Sequence, residues 1–482
     1  MELIDYIMEW EKKNNFFEIG NVRGFDFYSY LRRELVNTSV NSKNKVKTDP
    51  FAAKGQKDTG IKLFLKLLKR SEKTSVKNPD LLILCHPRRQ REGDVYESVF
   101  TDFLEEEFPN SLTFERLFDD HSHFEPAKTR QLCYIDRITL ISYVSRIFAS
   151  KFKRSEYEAV KGEIRAIMDG PMREFEQQHG IDMKRETYYE RAVTLYYFWR
   201  SRKKRLGKFL DRVKPKLVAE VVSKSADAML INELAHERGI KVVELQHSLL
   251  GPIARYPEGI REKQSPDYYL SYSDYWSDYQ SYPIAEENVH ACGSPYFERQ
   301  VKKYKALDSS AWQEKKDPSV KRVLFISATV YGKPLARLAM EFKKLAGDRA
   351  DIVYKLHPDE FGCWRELYPE LAESGLRVVD SKDIGIYEFF KGADVQVGVF
   401  STALYEGLGF DLKTCILDND FAGEFRDFCR DGYGSLVADE KQLYDAVFSP
   451  QEDESHENIS EKFWKSGARE NIVRELRKIL AK

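Results

Sequence analysis

The chain contains the stretch IVYKLHPDE at Ile352–Glu360 and, after a helical interval, ADVQVGVFSTALYEGLGFDLKTCIL at Ala393–Leu417. In each segment a short apolar strand, Ile352–Lys355 or Val395–Val399, ends in a polar turn. The first turn carries His357, and the second begins a helix. Ligands of open α/β sheets bind beyond the carboxyl ends of parallel strands, where helix N-termini offer free N–H groups to phosphate. These two turns therefore predict a sheet that binds a diphosphate or a nucleotide.

Strand and helix signals alternate on both sides of this stretch. In the C-terminal half the predicted strands are Val323–Ser327, Ile352–Lys355, Leu376–Val379, Val395–Val399 and Thr414–Leu417. In the N-terminal half they are Asp80–Cys85, Leu217–Val222, Lys241–Leu245, Tyr268–Ser271 and Val289–Cys292. Such alternation is typical of doubly wound parallel sheets. The sequence therefore predicts an α/β protein with two Rossmann-like domains that face each other across a cleft.

The 482 residues are too many for one hydrophobic core, so we expect several parts. Residues 1–77 are predicted to be a helical region, and 451–482 a C-terminal helix. Residues 78–300 are predicted to form the first Rossmann-like domain, which would bind the acceptor, with a helical insertion at about 125–212. Residues 301–322 are a predicted linker, and 323–450 a second, nucleotide-binding domain.

Composition narrows the class of protein. The net charge is −1, which argues against nucleic acid as a partner of the whole molecule. Six scattered cysteines, without metal-site spacing, are typical of reduced thiols. No apolar run approaches the roughly 18 residues of a membrane span. We therefore expect a cytoplasmic protein, with contact to the inner face of the membrane as an option.

Two basic segments suggest local contacts. The segment IKLFLKLLKR at 61–70 predicts a basic amphipathic helix, which could rest on anionic lipid headgroups or dock on its own domain. Nine Lys and Arg residues lie between Arg200 and Lys216. This cluster could face a phosphorylated acceptor, or it could be a solvated helix face.

Polar residues at the predicted strand ends are the candidate site. They are His86, Arg88, Arg89, Glu92, His247, Thr329, His357, Ser401, Thr402 and Glu406. His247 or Glu92 could deprotonate an acceptor hydroxyl. His357, whose turn is fixed by Pro358, could stabilise a leaving phosphate.

The remaining candidates have binding roles or structural alternatives. Ser401 and Thr402 begin a helix and suit an anion, although an ordinary N-cap explains them equally well. Glu406 could accept hydrogen bonds from ribose, and Thr329 could contact the nucleotide. Arg88 and Arg89 are predicted to contact the acceptor.

Three motifs, QHS at 246–248, KLHPDE at 355–360 and FSTALYEGLGF at 400–410, resemble those of bacterial surface-polysaccharide transferases of the GT-B fold. The pattern is similar to CDP-glycerol glycerophosphotransferases and to polysialyl- and Kdo-transferases, mainly over residues 217–420. Matched by motif, His247 corresponds to the histidine of a His-Gly pair and His357 to that of a His-Pro pair. The third motif, with Ser401, Thr402 and Glu406, corresponds to a nucleotide-binding segment.

The chain also departs from these families. Ser248 replaces the usual glycine, Arg91-Glu92-Gly93 only partly matches an acidic catalytic motif, and Thr414 replaces the second Glu of a Glu-x7-Glu pattern. The last departure argues against common retaining UDP- or GDP-sugar enzymes.

The resemblance implies a glycosyltransferase or polyol-phosphate transferase that uses a CMP- or CDP-linked donor. The acceptor would be a bacterial surface polysaccharide or a lipid-linked glycan, and neither a metal nor another cofactor is expected. Asp418-Asn419-Asp420 is interpreted as a loop rather than a cation site. A nucleotide-sugar 2-epimerase of the same fold and a non-catalytic capsule-assembly scaffold remain alternatives. Donor sugar, acceptor, stereochemistry, polymerisation and oligomeric state are left open.

Overall fold

A computed structural model describes residues 3–43, 60–87, 89–117, 123–248, 255–278, 283–308, 311–312, 317, 319–328, 331–381, 383–419, 422–449 and 457–482. The chain divides into two compact units. The first unit comprises Met1–Gly293 and Arg469–Lys482, and the second comprises Ser294–Ala468.

The N-terminal region of the first unit is helical and contains one tight hairpin. Its elements are α1 (Leu3–Asn14), α2 (Phe16–Ile19), β1 (Asn21–Val22), β2 (Phe25–Asp26), α3 (Phe27–Lys43) and α4 (Gly60–Lys69). Buried aromatic side chains dominate this region, among them Phe16, Phe25 and Tyr28.

The rest of the first unit is built around a seven-stranded sheet. Its elements are β3 (Leu81–Leu84), β4 (Gln90–Glu92), β5 (Val95–Glu97), α5 (Asp102–Glu107), β6 (Ser111–Glu115), β7 (Leu132–Tyr134), α6 (Asp136–Phe152), α7 (Arg154–His179), α8 (Arg185–Val213), β8 (Leu217–Glu220), α9 (Ala226–His236), β9 (Lys241–Leu245), β10 (Tyr268–Ser271), α10 (Asp274–Asp278) and β11 (Val289–Ala291). The strand order is β11-β10-β9-β8-β3-β6-β7, and all pairs are parallel. Strands β4 and β5 form a separate antiparallel hairpin.

The second unit contains a six-stranded sheet. Its elements are α11 (Pro295–Lys305), β12 (Lys321–Ile326), α12 (Gly332–Ala346), β13 (Ala350–Lys355), α13 (Trp364–Leu367), α14 (Pro369–Glu373), β14 (Arg377–Val379), α15 (Ile386–Phe390), β15 (Val395–Gly398), α16 (Thr402–Leu408), β16 (Lys413–Leu417), α17 (Gly423–Arg430), β17 (Ser435–Val437), α18 (Glu440–Phe448) and α19 (Glu457–Phe463). The strand order is β14-β13-β12-β15-β16-β17, again all parallel. The last helix, α20 (Ala468–Ala481), carries the chain back to the first unit.

Strand sequence explains both sheets. Leu81–Leu84 reads LLIL and is buried at every position, as expected for a parallel strand covered by helices on both faces. On one face of the first sheet, α8 and α9 supply apolar side chains. On the other face, α20 packs Ile472, Val473 and Leu476 into the core.

The structure confirms the predicted pair of doubly wound parallel sheets. In each sheet the strand order reverses once, between β3 and β8 in the first and between β12 and β15 in the second, which marks the usual ligand crevice. Three strands of the sheets, β6, β7 and β17, were not predicted. Strands β7 and β17 are only three residues long, too short to give an alternating pattern. No helix in the described ranges combines the length and hydropathy that a membrane span requires.

Candidate active site

The carboxyl edge of the first sheet brings two histidines together. His86 follows β3 and His247 follows β9, and the centroids of their rings are 5.6 Å apart. The ring of Phe100 lies 5.8 Å from that of His86 and 6.1 Å from that of His247. Parallel strands end at the same edge, so two residues 161 positions apart in sequence share one apolar-walled corner next to the β3–β8 reversal.

His247 is held neutral in this corner. Burial, together with the nearby charges of His86, Arg33 and Arg116, lowers the pKa of His247 to about 3. Its Nε2 lies 3.3 Å from the hydroxyl oxygen of Ser248, the residue that replaces the expected glycine. A neutral imidazole offers one unprotonated nitrogen that can accept a hydrogen bond from a hydroxyl. Because burial and the nearby cations disfavour the protonated ring, His247 would act as a base only with a bound anion that offsets those charges.

Two buried glutamates lie beside the histidine corner. Glu220 ends β8 and Glu244 lies directly opposite it on β9. Asn232 Nδ2 donates to Glu220 Oε1 at 2.7 Å, and the N–H of Ser223 donates to Glu244 Oε1 at 3.1 Å. Burial and the charge of Glu244 raise the pKa of Glu220 to about 8, and burial also raises the pKa of Glu244. The pair therefore retains a proton at neutral pH.

Arg89 lies inside a buried charge network and does not face the solvent. Its Nη2 donates to Glu115 Oε2 at 2.5 Å, and its Nη1 donates to Thr129 Oγ1 at 2.7 Å. His123 bridges Glu115, at 2.5 Å, and Asp136, at 2.9 Å. Burial opposes the charge on His123, but the two carboxylates outweigh it and raise the pKa of His123 to about 9. This differs from the predicted acceptor contact, because the donors of Arg89 are used to anchor its own loop.

Arg116, which follows β6, presents an open hydrogen-bonding edge. The residue is only 6% exposed. Its Nη1 donates to the hydroxyl of Ser225, the N-cap of α9, which in turn accepts from the N–H of Ala228 at 3.3 Å. Among the described residues, no partner accepts a hydrogen bond from its Nε or Nη2. These two nitrogens form the side-on face of the guanidinium, which fits a phosphate or carboxylate with two parallel bonds.

On the second sheet, His357 is placed directly after β13 at the start of a 3₁₀ turn. Its Nδ1 lies 3.2 Å from the N–H of Asp359 and 3.4 Å from Asp359 Oδ2. A backbone N–H can only donate, so in the neutral ring with this bond the proton sits on Nε2. The side chain is 43% exposed, which leaves the Nε2–H available to an incoming anion.

The buried carboxylate of Glu360 fixes the backbone position of His357. Its carboxylate accepts from the N–H of His357 at 2.7 Å, from Ser327 Oγ at 2.9 Å and from the hydroxyl of Tyr368 at 2.5 Å. Glu360 is fully buried, and Ser327 follows β12, the strand at the order reversal. The KLHPDE motif thus contains a surface histidine and the buried acceptor that orients its backbone.

Ser401 and Thr402 lie at the start of α16, after β15 and next to the same reversal. Ser401 is the N-cap, and its Oγ accepts from the N–H of Ala403 at 3.2 Å. Glu406 accepts from the hydroxyl of Tyr387 at 2.6 Å, and burial raises the pKa of Glu406. One of its oxygens is therefore engaged by protein already.

The glycines of the third motif serve packing. A Cβ at Gly407 would lie 2.1 Å from Gln396 Oε1, and one at Gly409 would lie 2.5 Å from the ring of Phe297. The side chain of Gln396 packs against α16 at Gly407, and its Nε2 donates to Thr414 Oγ1 at 2.8 Å. The threonine that replaces the second Glu of the Glu-x7-Glu pattern therefore holds a buried amide.

The other predicted residues are placed as follows. Glu92 is exposed on β4, in the hairpin that follows β3. Arg88 and Thr329 lie outside the described residues. Pro358 occupies the first position of the 3₁₀ turn. The structure brings His247 together with His86 on the first sheet, and it places His357, Ser401 and Thr402 at one edge of the second sheet.

Several residues of this site were missed from sequence, namely Glu220, Glu244, Arg116 and Glu360. A signal was present for the first two, since LVAE and KVVEL each place a carboxylate in an otherwise apolar strand. Asp418 is bonded to Arg426 at 2.9 Å. Among the described residues, no group of three or more His, Cys, Asp or Glu side chains is arranged to hold a metal ion.

Comparisons with known proteins give similarity at the level of structure. No protein-family model matches the chain, and no curated protein matches its sequence. The UDP-GlcNAc 2-epimerase from Methanocaldococcus jannaschii is similar with 14% identity and a TM-score of 0.42, over 58% of this chain and 82% of that one. The wall teichoic acid polymerase TagF is similar with 11% identity and a TM-score of 0.42, over 87% of this chain and 93% of that one.

A third structure is the UDP-GlcNAc 2-epimerase from Neisseria meningitidis bound to UDP-GlcNAc. It is similar with 14% identity and a TM-score of 0.43, over 59% of this chain and 82% of that one. These TM-scores do not assign an activity, so function is inferred below from the residues of this chain.

Proposed function

We propose that the chain is a transferase that moves a sugar or a polyol phosphate from a CMP- or CDP-linked donor to a bacterial surface glycan. Capsule polysaccharide, lipopolysaccharide or a lipid-linked precursor would be the acceptor. The observation that carries this proposal is the neutral His247, held against His86 at the carboxyl edge of a doubly wound sheet.

The first unit would bind and activate the acceptor. His247 takes the proton of the acceptor hydroxyl as its oxygen bonds to the donor's anomeric carbon or phosphorus. At the same time the bond from that atom to the nucleotide phosphate oxygen breaks, and the nucleotide leaves with the electron pair. The open edge of Arg116, beside the N-cap of α9, fits an anionic group of the acceptor. Glu92, exposed on β4, is the second candidate base.

The second unit would bind the nucleotide. The Nε2–H of His357 and the hydroxyls of Ser401 and Thr402 suit the departing phosphate. Glu406 and Thr329 would contact the rest of the nucleotide, and Arg88 the acceptor. In this proposal the donor is the only small molecule required besides the acceptor, and hydrogen-bond donors of the protein stabilise the charge of the departing phosphate in place of a metal ion.

A thermal-shift panel of CMP, CDP, UDP and GDP tests the nucleotide class first. Stabilisation by a cytidine nucleotide is expected, because a ligand that binds only the folded state raises its stability. Release of CMP or CDP from the matching donor, only when a glycan acceptor is present, would then establish transfer. Release that persists with both His247→Ala and His357→Ala would overturn the mechanism.

Two other functions give distinct results in the same assays. A nucleotide-sugar 2-epimerase would convert UDP-GlcNAc without any acceptor. A capsule-assembly scaffold would fold normally and would show no stabilisation by any nucleotide.

A further inference from the structure

Exposed apolar side chains are concentrated on two neighbouring helices of the first unit. Eleven large apolar residues are exposed in the described part of the chain, and seven of them lie on α4 and α6. These seven, which we call the α4–α6 face, are Phe64, Leu65, Leu68, Val144, Ile147, Phe148 and Phe152. Phe148 is 52% exposed and Phe152 73%. Scattered single residues need no explanation, but such a concentration marks an interaction surface.

Helices α4 and α6 pack against each other, and α6 also packs against α8. Both Nε and Nη2 of Arg137, in the first turn of α6, donate to the carbonyl of Leu68 at the end of α4, each at 3.3 Å. Helix α6 in turn packs along α8. The apolar side chains of α4 and α6 thus belong to one connected part of the molecule.

Positive charge predominates around the α4–α6 face, although Glu156 pairs with Lys153 and Arg200 and Glu125 pairs with Arg70. Helix α4 carries three lysines and no acidic residue, and α6 has no acidic residue after Asp136. In α8 no acidic residue occurs from Arg191 to Leu210. For a chain whose net charge is −1, this is a pronounced local segregation.

Three cations of α8 form no ion pair with any described carboxylate. In the described structure Arg200 is paired with Glu156, and Lys203 with Glu233. Lys204, Arg205 and Lys208, in contrast, are exposed and have no carboxylate within ion-pair distance among the described residues. A groove of about 710 Å³ joins these cations to Val144 and Phe148 of the α4–α6 face.

We propose that the α4–α6 face, together with Lys204, Arg205 and Lys208, docks on an anionic lipid bilayer. Phenylalanine and leucine side chains would enter the boundary between headgroups and acyl chains, while the cations meet lipid phosphates. This surface does not depend on the nucleotide chemistry proposed above.

Charge complementarity favours a bilayer over a second copy of the chain. Two copies joined through this face would bring both sets of Lys204, Arg205 and Lys208 into one interface, and the face itself supplies no carboxylate to pair with them. A bilayer that contains anionic lipid instead supplies both kinds of partner. Its headgroups provide negative charge for the three cations, and its acyl chains provide an apolar environment for the side chains of the α4–α6 face.

Co-sedimentation of the full chain with vesicles tests this surface. We expect binding to vesicles of phosphatidylcholine with phosphatidylglycerol, little binding to phosphatidylcholine alone, and weakening by salt. The triple variant Lys204→Glu, Arg205→Glu, Lys208→Glu should bind more than about a hundredfold more weakly, since the loss of each cation near the surface is worth about fivefold and the three new carboxylates add repulsion. The double variant Phe148→Ser, Phe152→Ser should lose about tenfold.

Matched control variants lie elsewhere on the molecule. Leu345→Ser with Ile19→Ser removes two apolar residues of 48% and 47% exposure, and Lys302→Glu, Lys344→Glu and Lys441→Glu reverse three exposed charges of the second unit. Both controls should bind vesicles like the parent. Unchanged thermal stability of all variants would show that each is folded.

Three results would overturn the membrane surface. The first is equal binding to neutral and anionic vesicles, and the second is binding that neither test variant weakens. The third is self-association or nucleic-acid binding that the test variants abolish, with no vesicle binding by the parent chain.

Discussion

The two sheets share the same order over six strands, to which the first sheet adds β11, but they carry different chemistry at their carboxyl edges. In the first unit this edge contains buried charges, including the Glu220–Glu244 pair and the Arg89–Glu115–His123 network. In the second unit the buried carboxylate of Glu360 accepts only from neutral N–H and O–H groups.

The difference indicates a division of work between two copies of one topology. Buried charges that shift one another's pKa values suit proton transfer, which is the role proposed for the first edge. Fixed hydroxyl and N–H donors suit recognition of an anion without a change of protonation, the role proposed for the second. Fold alone therefore predicts where each site lies, but side chains decide what it does.

The largest expected effect is on catalysis. His247→Ala should lower the turnover number about 10²–10⁴-fold, the usual contribution of a positioned base, with little change in nucleotide affinity. His357→Ala should raise the Kd of the nucleotide and lower the turnover number as well, but by less than His247→Ala does. Steady-state kinetics and calorimetry separate the two, and His290→Ala, on β11 of the first sheet, is the control. If His357→Ala lowers turnover at saturating donor as much as His247→Ala does, the division of work is wrong.

The buried network of the first edge gives the next largest effect. Arg89→Met should lower the free energy of unfolding by about 3–5 kcal/mol, because Asp102 would remain buried without a cation and Glu115 would keep only His123. Chemical denaturation measures the change. Arg91→Met, two residues along on the exposed strand β4, should cost little. Equal losses for the two variants would contradict the assigned role of Arg89.

Replacement of a buried glutamate by glutamine should change the free energy of unfolding in opposite directions at the two edges. Glu360→Gln should destabilise the second unit by about 1–3 kcal/mol, because an NH₂ group would face the donors that Glu360 now satisfies. Glu220→Gln at pH 8 should be neutral or stabilising, since it removes a carboxylate whose charge is disfavoured by burial. Thermal unfolding of both variants at one pH tests this, and a shared sign would refute the contrast.

The dependence of stability on pH tests the buried carboxylate of the first edge by a second route. The pKa of Glu220 rises from 4.5 to about 8 on folding, so the folded protein keeps a proton that the unfolded chain releases. Stability should therefore fall as pH rises from about 5 to 8, by about 1.4 kcal/mol per pH unit for one proton. His123, with its pKa raised to about 9, adds stability below pH 6.5 that is lost as pH rises through 9.

Denaturation curves measured between pH 5 and 9 separate these two groups. In the Glu220→Gln variant the free energy of unfolding should change less between pH 5 and 8 than in the parent. It should still decrease toward pH 9, where His123 loses its proton. A variant profile that matches the parent at every pH would show that Glu220 does not hold the proton.

Sequence predicted the fold well because strand signals are local. Apolar runs that end in polar turns located most strands, and they also located His247 and His357 at strand ends. The roles of Glu220 and Glu244 could not be predicted, because their pKa values depend on the register that sets β8 against β9. Arg89 looked like a free cation, and only the fold brings Glu115, 26 residues away, into contact with it.

The third motif illustrates the same limit. In the sequence its glycines stand beside a predicted anion-binding helix start, and only the structure shows that Gly407 makes room for Gln396 and Gly409 for Phe297. Both contacts are between elements that are distant in sequence, so no local pattern reveals them.

The return of α20 to the first unit has a consequence for synthesis on the ribosome. Leu104 and Phe108 share their core with Leu476 and Ile479, which are translated only after the whole second unit. A nascent chain that has reached residue 468 therefore still exposes part of that core, and the unit made first is the one completed last.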